Sequence, residues 1–287
     1  MTGTNYISFN GELLNADVPT LKVSNRAFRY GDALFDAVRI IDGKPCFLEL
    51  HVERLIRSMN LLKMNIPSNF ITDYFDSEIK KLLKENGINK GGRVRLTIFR
   101  DADGFYTPEN NDVSFIIEAV PLVNNQFTLN EKGLLIDIYE DHRKNLNELS
   151  TIKSTNCLPY VLAGIHKREQ ELDECIMLNE LGNIAEAISS NIFIIYNGVF
   201  YTPSINQGCL AGVMRKLVIE IAKENNIEVQ ECPLGPNALL RADEVLLTNA
   251  VNGVRWVGSF RMKRYFNKSA KLFTEKLNQK VSELVMG

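Results

Sequence analysis

LSTIKSTNCLPYVLAGIHKREQELDECIMLNELGNIAEAISSNIFIIYNGVFYTP, residues 149–203, is the stretch around which the chain reads. A lysine, Lys153, stands ahead of a helical run from about Pro159 to Glu171. Two strand-like segments follow, CIMLN (175–179) and NIFIIY (191–196). One acid, Glu186, lies between them near an expected bend. Asn197-Gly198 then closes a hairpin with VFYTP, as a type I′ turn asks for residues that tolerate positive φ. A lysine and a carboxylate brought together by folding have the chemistry to hold and tune an aldehyde cofactor. Residue chemistry leaves that as one option among several.

Working outward, YISF-NG-ELLN and VRII-DG-KPCFL read as two further hairpins, turning at Asn10-Gly11 and Asp42-Gly43. From Glu49 to Met64 the period changes: Val52, Leu55, Ile56, Met59 and Leu62 recur at helical spacing. A second helix is expected from Thr72 to Asn86, stopped by Gly87. RVRLTIF (93–99) and VSFIIEAV (113–120) read as strands joined by a polar loop that carries Phe105 and Tyr106. Beyond it come a strand LLIDIY, a helix from Gly212 to Asn226, a strand VLLTN (245–249) and a last helix that Asn267 is placed to cap. The order predicts an α/β chain of two domains. A smaller N-terminal domain covers residues 1–120, a linker 121–128, and a larger C-terminal domain 129–287, with a ligand site expected in the cleft between them.

Composition narrows the function classes. The formal net charge of −2 and the lack of a basic stripe argue against a nucleic-acid surface. No apolar run approaches the length of a transmembrane helix, and the N-terminus does not read as a signal peptide. Five cysteines at wide spacings without C-x-x-C fit free thiols in a reducing cytosol, so a cytoplasmic location is expected. Three scattered histidines offer no metal motif, and no metal site is expected. Neither dinucleotide nor P-loop glycine patterns occur.

Singly, the candidate residues have plain readings. Most lysines are solvated charges. Arg54 pairs readily with Glu53 or Glu49 on its own helix, and Thr248-Asn249 is an ordinary capping pair. Together they do not read that way. NRAFRYGDALFDAVR (25–39), HVERLIRSM (51–59), KSTNCLPYVLA (153–163), LNELGNIAEAISSNIF (178–193), GCLAGVMRKLV (208–218) and ADEVLLTNA (242–250) occur in one order along the chain. In this it resembles the class IV (fold type IV) pyridoxal-phosphate aminotransferases, a family that includes branched-chain and D-amino-acid aminotransferases and aminodeoxychorismate lyases.

The resemblance implies a pyridoxal 5'-phosphate enzyme with a role for each matched residue. Lys153 matches the lysine that forms the Schiff base and then moves the substrate proton, a task that needs an amine neutral near pH 7. Glu186 matches the acid that keeps the pyridine nitrogen protonated. Arg54, the helix start at Gly212, Val213 and Met214, and the turn at Asn249 and Ala250 match the phosphate ligands. Arg29 and Tyr30 resemble a segment that reaches a neighbouring subunit's site, which implies a homodimer. Arg100 resembles the carboxylate-binding arginine of D-amino-acid enzymes, and Arg95 resembles the branched-chain pattern.

The signals for the reaction differ. Met214 and Ala250 stand where transaminases usually carry threonine, which leans towards the lyase. Ala37 stands where some lyases carry threonine, which leans away from it. The first expectation is transfer of the amino group of a small amino acid to a 2-oxo acid. The alternatives are elimination of pyruvate from aminodeoxychorismate to give 4-aminobenzoate, and a pyridoxal-phosphate-binding protein without turnover.

Overall fold

Alternation with a period of two governs the first sheet. In ALFDAVRII and GRVRLTIFR every second residue is buried near the strand centres, as side chains on a strand point to opposite faces. The computed structural model describes residues 5–286 and divides into two compact units. The first unit comprises Met1–Gln126, Ile152–Asn156 and Glu283–Gly287; the second comprises Phe127–Thr151 and Cys157–Ser282.

In the first unit, chain order runs β1 (Tyr6–Phe9), β2 (Glu12–Asn15), α1 (Arg26–Tyr30), β3 (Ala33–Ile41), β4 (Lys44–Pro45), α2 (Leu48–Leu61), α3 (Thr72–Glu85), β5 (Gly92–Arg100) and β6 (Val113–Pro121). The sheet order is β2-β1-β6-β5-β3-β4, antiparallel throughout. Asn10-Gly11 and Asp42-Gly43 turn the two expected hairpins, all four residues with positive φ. Leu34 and Val38 of β3, Val94, Leu96 and Ile98 of β5, and Phe115 and Ile117 of β6 share one core with Val52, Leu55 and Met59 of α2 and Phe75, Ile79 and Leu82 of α3. The alternate residues Phe35, Ala37, Arg95 and Thr97 are only half-buried.

The second unit contains β7 (Leu134–Lys144), α4 (Leu158–Glu169), β8 (Glu174–Asn179), β9 (Ile184–Ala187), β10 (Asn191–Tyr196), β11 (Val199–Pro203), α5 (Val213–Glu224), β12 (Val229–Cys232), α6 (Asn237–Arg241), β13 (Glu244–Asn249), β14 (Gly253–Phe260), β15 (Lys263–Arg264) and α7 (Lys268–Met286). Its sheet runs β12-β11-β10-β13-β14-β7-β8-β9, with β15 beside β14. The pairs β11–β12, β14–β7 and β7–β8 are parallel. Parallel neighbours need a crossover, and α4 supplies the one from β7 to β8.

Two findings go beyond the sequence expectation. Glu186 lies within β9 and is buried, just before a bend at 188–190; β9 is four residues long and contains two alanines, so it carries little strand signal. At the start of α7, the Glu244 carboxylate accepts the Ser269 N–H at 2.8 Å, a cap supplied from β13 that no local pattern announces.

The β14–β7 register shifts between Val257 and Ser259, where Gly258 meets Gly133. A Cβ on Gly133 would stand 2.4 Å from Gly258 Cα and 2.5 Å from the Trp256 ring. Gly133→Ala should therefore cost about 1–3 kcal/mol through overpacking. Gly235→Ala, whose Cβ meets nothing within 4 Å, should stay within about 0.5 kcal/mol. Urea denaturation of both variants measures the difference, and equal stabilities would contradict the close approach.

Candidate active site

Lys153 belongs to a short stretch that lies alongside β3. Phe35 N–H donates to the Lys153 carbonyl at 2.9 Å, and Thr155 N–H donates to the Ala33 carbonyl at 3.0 Å. Ser154 forms a bridge with Leu34. Lys153 Nζ stands 4.6 Å from the centre of the Phe35 ring. The Arg95 guanidinium lies 3.8 Å from the same ring centre. Phe35 and Arg95 come from adjacent strands, in which Ala37 faces Arg95 and Phe35 faces Thr97. The structure thus brings Lys153 and Arg95 to one aromatic ring.

The other candidate arginines of this unit have different surroundings. Arg54 is buried and gives Nε and Nη2 to the two oxygens of Asp36. His51 Nδ1 is 2.7 Å from the same carboxylate. Asp36 alternates with Phe35 along β3 and belongs to the buried face of the strand. Burial opposes its charge, but the Arg54 guanidinium and His51 more than offset this and hold the carboxyl below the usual carboxylate range. Arg100 is also buried. It binds Asp32 at 2.9 Å, the Asn111 side chain at 2.5 Å and the Leu62 carbonyl at 2.8 Å. On α1, Arg29 is exposed, and the Tyr30 ring lies 5.4 Å from that of Tyr106.

In the second unit, Glu186 is 4% exposed and its carboxylate is surrounded by donors. Leu210 N–H donates to Oε2 at 2.8 Å, the Tyr160 hydroxyl donates to Oε1 at 2.7 Å, and the Lys144 ammonium binds Oε1. The Leu210 carbonyl in turn accepts from Asn191 Nδ2 at 2.9 Å. Asn191 Oδ1 is so close to Gly212 that a Cβ there would stand 1.9 Å from it. Gly212 caps α5 without a side-chain hydrogen bond, and the first turn carries no acid. Met214 is buried, so its side chain is not available at this end, whereas the first-turn N–H groups of a helix are the ones that lack intrahelical partners. Across β10, Asn191 pairs with Thr248. The Asn249 side chain accepts from Val251 N–H and Asn252 N–H, which closes the turn that Ala250 opens, and donates to Ser190 at 3.1 Å. An uncapped helix start with a tight asparagine-supported turn suits a phosphate. A buried, multiply bonded carboxylate suits a protonated ring nitrogen.

The model of the class IV amino-transferase family matches residues 33–260, most of the chain. The chain belongs to the class IV aminotransferases. It is 29% identical over 281 residues to a putative branched-chain-amino-acid aminotransferase of Methanocaldococcus jannaschii, covering 97% of this chain and 96% of the relative. It is 33% identical over 254 residues to an aminodeoxychorismate lyase of Bacillus subtilis, covering 85% and 83%. A solved branched-chain amino acid aminotransferase, from the organism abbreviated T.th. and carrying pyridoxamine 5'-phosphate, superimposes with a TM-score of 0.86 at 25% identity, over 96% of this chain and 94% of that one. The aminotransferase is thus a pyridoxal-phosphate enzyme with the two-domain α/β fold of its family.

Sequence reasoning did not single out Phe35, Lys144, Tyr160 or Asn191. Phe35 and Asn191 lie inside motifs it quoted, but their contacts depend on strand register. Tyr160 stands one helical turn beyond Cys157, on the same side of α4 by spacing. Lys144 lies in a charged run, EDHRK, that reads as solvated surface.

The Asp36 cluster sets a pH dependence. A carboxyl whose folded-state pKa is depressed contributes stability that is present above its unfolded value, near 3.9, and lost as pH falls below it. Asp36→Asn should abolish that contribution and cost about 3–5 kcal/mol at pH 7, as it removes the buried charge that Arg54 binds. Urea unfolding of wild type and variant from pH 7 to pH 3 tests this. A variant as stable as wild type at neutral pH would contradict it.

Proposed function

We propose that the enzyme transfers the amino group of a small amino acid to a 2-oxo acid, with Lys153 as its proton-transferring amine. The observation that carries this reading is the placement of Lys153 and Arg95 against Phe35. It supplies an amine together with a planar guanidinium fork suited to the carboxylate that both amino acid and 2-oxo acid possess. Lys153 removes the Cα proton and Arg95 fixes the carboxylate. Glu186 would accept the ring N–H of bound cofactor, and Val213, Met214 and the Asn249-Ala250 turn would present backbone donors to its phosphate. Arg54 would be a further phosphate ligand. Bound pyridoxal phosphate supplies the electron sink for the carbanion and carries the amino group. Arg100, with three partners within the protein, is assigned to fixing the loop after β5.

The lyase is the second reading, favoured by the absence of threonine at Met214 and Ala250. A stopped-flow half-reaction separates the two. Amino acid alone, from a panel of D-alanine, D-glutamate, L-leucine and L-glutamate, should bleach the yellow cofactor band, and a 2-oxo acid should restore it. Failure with all four, together with rapid release of 4-aminobenzoate from aminodeoxychorismate, would replace the transaminase by the lyase. Lys153→Ala should lower turnover by about a thousandfold or more. Arg95→Ala should lower kcat/KM by roughly tenfold to a hundredfold, as expected for one charge-assisted pair.

The active form is proposed to be a homodimer in a reducing cytoplasm. Leu158, Val161, Leu162 and Ile165 form an exposed apolar stripe at i, i+3, i+4, i+7 on α4, with Leu158 75% exposed. Among the described residues no helix is long and apolar enough to cross a membrane, and all five cysteines are free. Val161→Glu with Leu162→Glu should convert the dimer to an inactive monomer in analytical ultracentrifugation. An unchanged sedimentation profile would exclude this face as the interface.

A further inference from the structure

Lys144 ends β7 with its side chain buried, and the reaction as assigned above gives it no task. Its ammonium binds Glu186 Oε1 and lies 3.3 Å from the Ser150 carbonyl. It stands 5.4 Å from the centre of the Tyr160 ring, whose hydroxyl donates to the same carboxylate oxygen. Burial and the Glu186 charge push the Tyr160 hydroxyl above its ordinary range, so it stays a neutral donor. Lys144 is therefore a cation bonded directly to Glu186. A buried carboxylate without a cation tends to take up a proton, and a neutral acid would meet the ring nitrogen as a donor, not as an acceptor.

We propose that Lys144 is a positioning residue that keeps Glu186 ionised and aimed before the cofactor arrives, so that the site selects a cofactor ring bearing N–H. The inference rests on the assignment of Glu186 to the ring nitrogen. Lys144 balances the carboxylate at Oε1, while Leu210 N–H holds Oε2 and fixes the rotamer. On this reading Glu186 would receive the ring N–H with its direction already set by Lys144 and Leu210.

The test uses the apoenzyme and two ligands, pyridoxal phosphate and its 1-deaza analogue, in which the ring nitrogen is replaced by CH. Dissociation constants come from equilibrium dialysis. Wild type should prefer pyridoxal phosphate by roughly tenfold or more, the effect of one charge-assisted hydrogen bond. Lys144→Met and Lys144→Gln should reduce that preference to less than about threefold, and Lys144→Arg should restore it. Equal weakening of both ligands in the Met and Gln variants, with the preference intact, would reduce Lys144 to a structural role and overturn the proposal. Glu186→Gln tests the underlying assignment separately: a full preference in that variant would remove Glu186 from the ring nitrogen. An infrared difference spectrum between the wild-type and Glu186→Gln apoenzymes at pH 7 needs no Lys144 variant to fold. It should show the Glu186 band in the carboxylate region, and a protonated carboxyl band would overturn the proposal.

Discussion

Two backbone hydrogen bonds, Phe35 N–H to the Lys153 carbonyl and Thr155 N–H to the Ala33 carbonyl, hold Lys153 of the first unit in place. They make a five-residue stretch, distant in sequence, an addition to β3. Thr155 Oγ1 and Asn156 Nδ2 add bonds to the Gly31 carbonyl, at 2.9 and 3.1 Å. The K-S-T-N motif thereby couples to R-Y-G-D. The alternation of β3 then does the rest: with Leu34 and Asp36 committed to the buried side, Phe35 is left to meet Lys153 and Arg95. A one-residue slip of the strand would exchange these sets and separate the amine from its aromatic neighbour.

The second unit has its own chain of dependence. One peptide group, Leu210, donates to Glu186 and accepts from Asn191, and Asn191 permits only glycine at the start of α5. The acid assigned to the ring nitrogen and the helix end assigned to the phosphate are therefore held by the same short loop. Such pre-organisation matters because a carboxylate that must reorient on binding gives up part of the interaction it makes.

Much of this was legible in the sequence because it is local. The Asn-Gly and Asp-Gly hairpins, the helical period after Glu49 and the glycine that ends α3 all follow from spacing over a few residues. Lys153 and Glu186 were legible as members of a motif order. What escaped depends on distant partners. Arg54 reads as a surface helix residue until β3 delivers Asp36, and the bonds of Arg100 to Asp32 and Asn111 follow from no local pattern. Glu186 reads as a loop acid because I-A-E-A has no strand signal; its place in β9 comes from pairing with β8. Lys144 is the extreme case: one lysine in a run of charges, buried only because β7 ends beside an acid that follows much later in the chain.

The central claim is that Lys153, and not the other well-placed lysine, Lys144, reacts with the cofactor. Borohydride reduction of the holoenzyme, followed by peptide mass spectrometry, distinguishes them directly. The account predicts the reduced cofactor on the peptide that contains Lys153, with Lys144 unmodified. A cofactor found on Lys144, or on any other lysine, would contradict it.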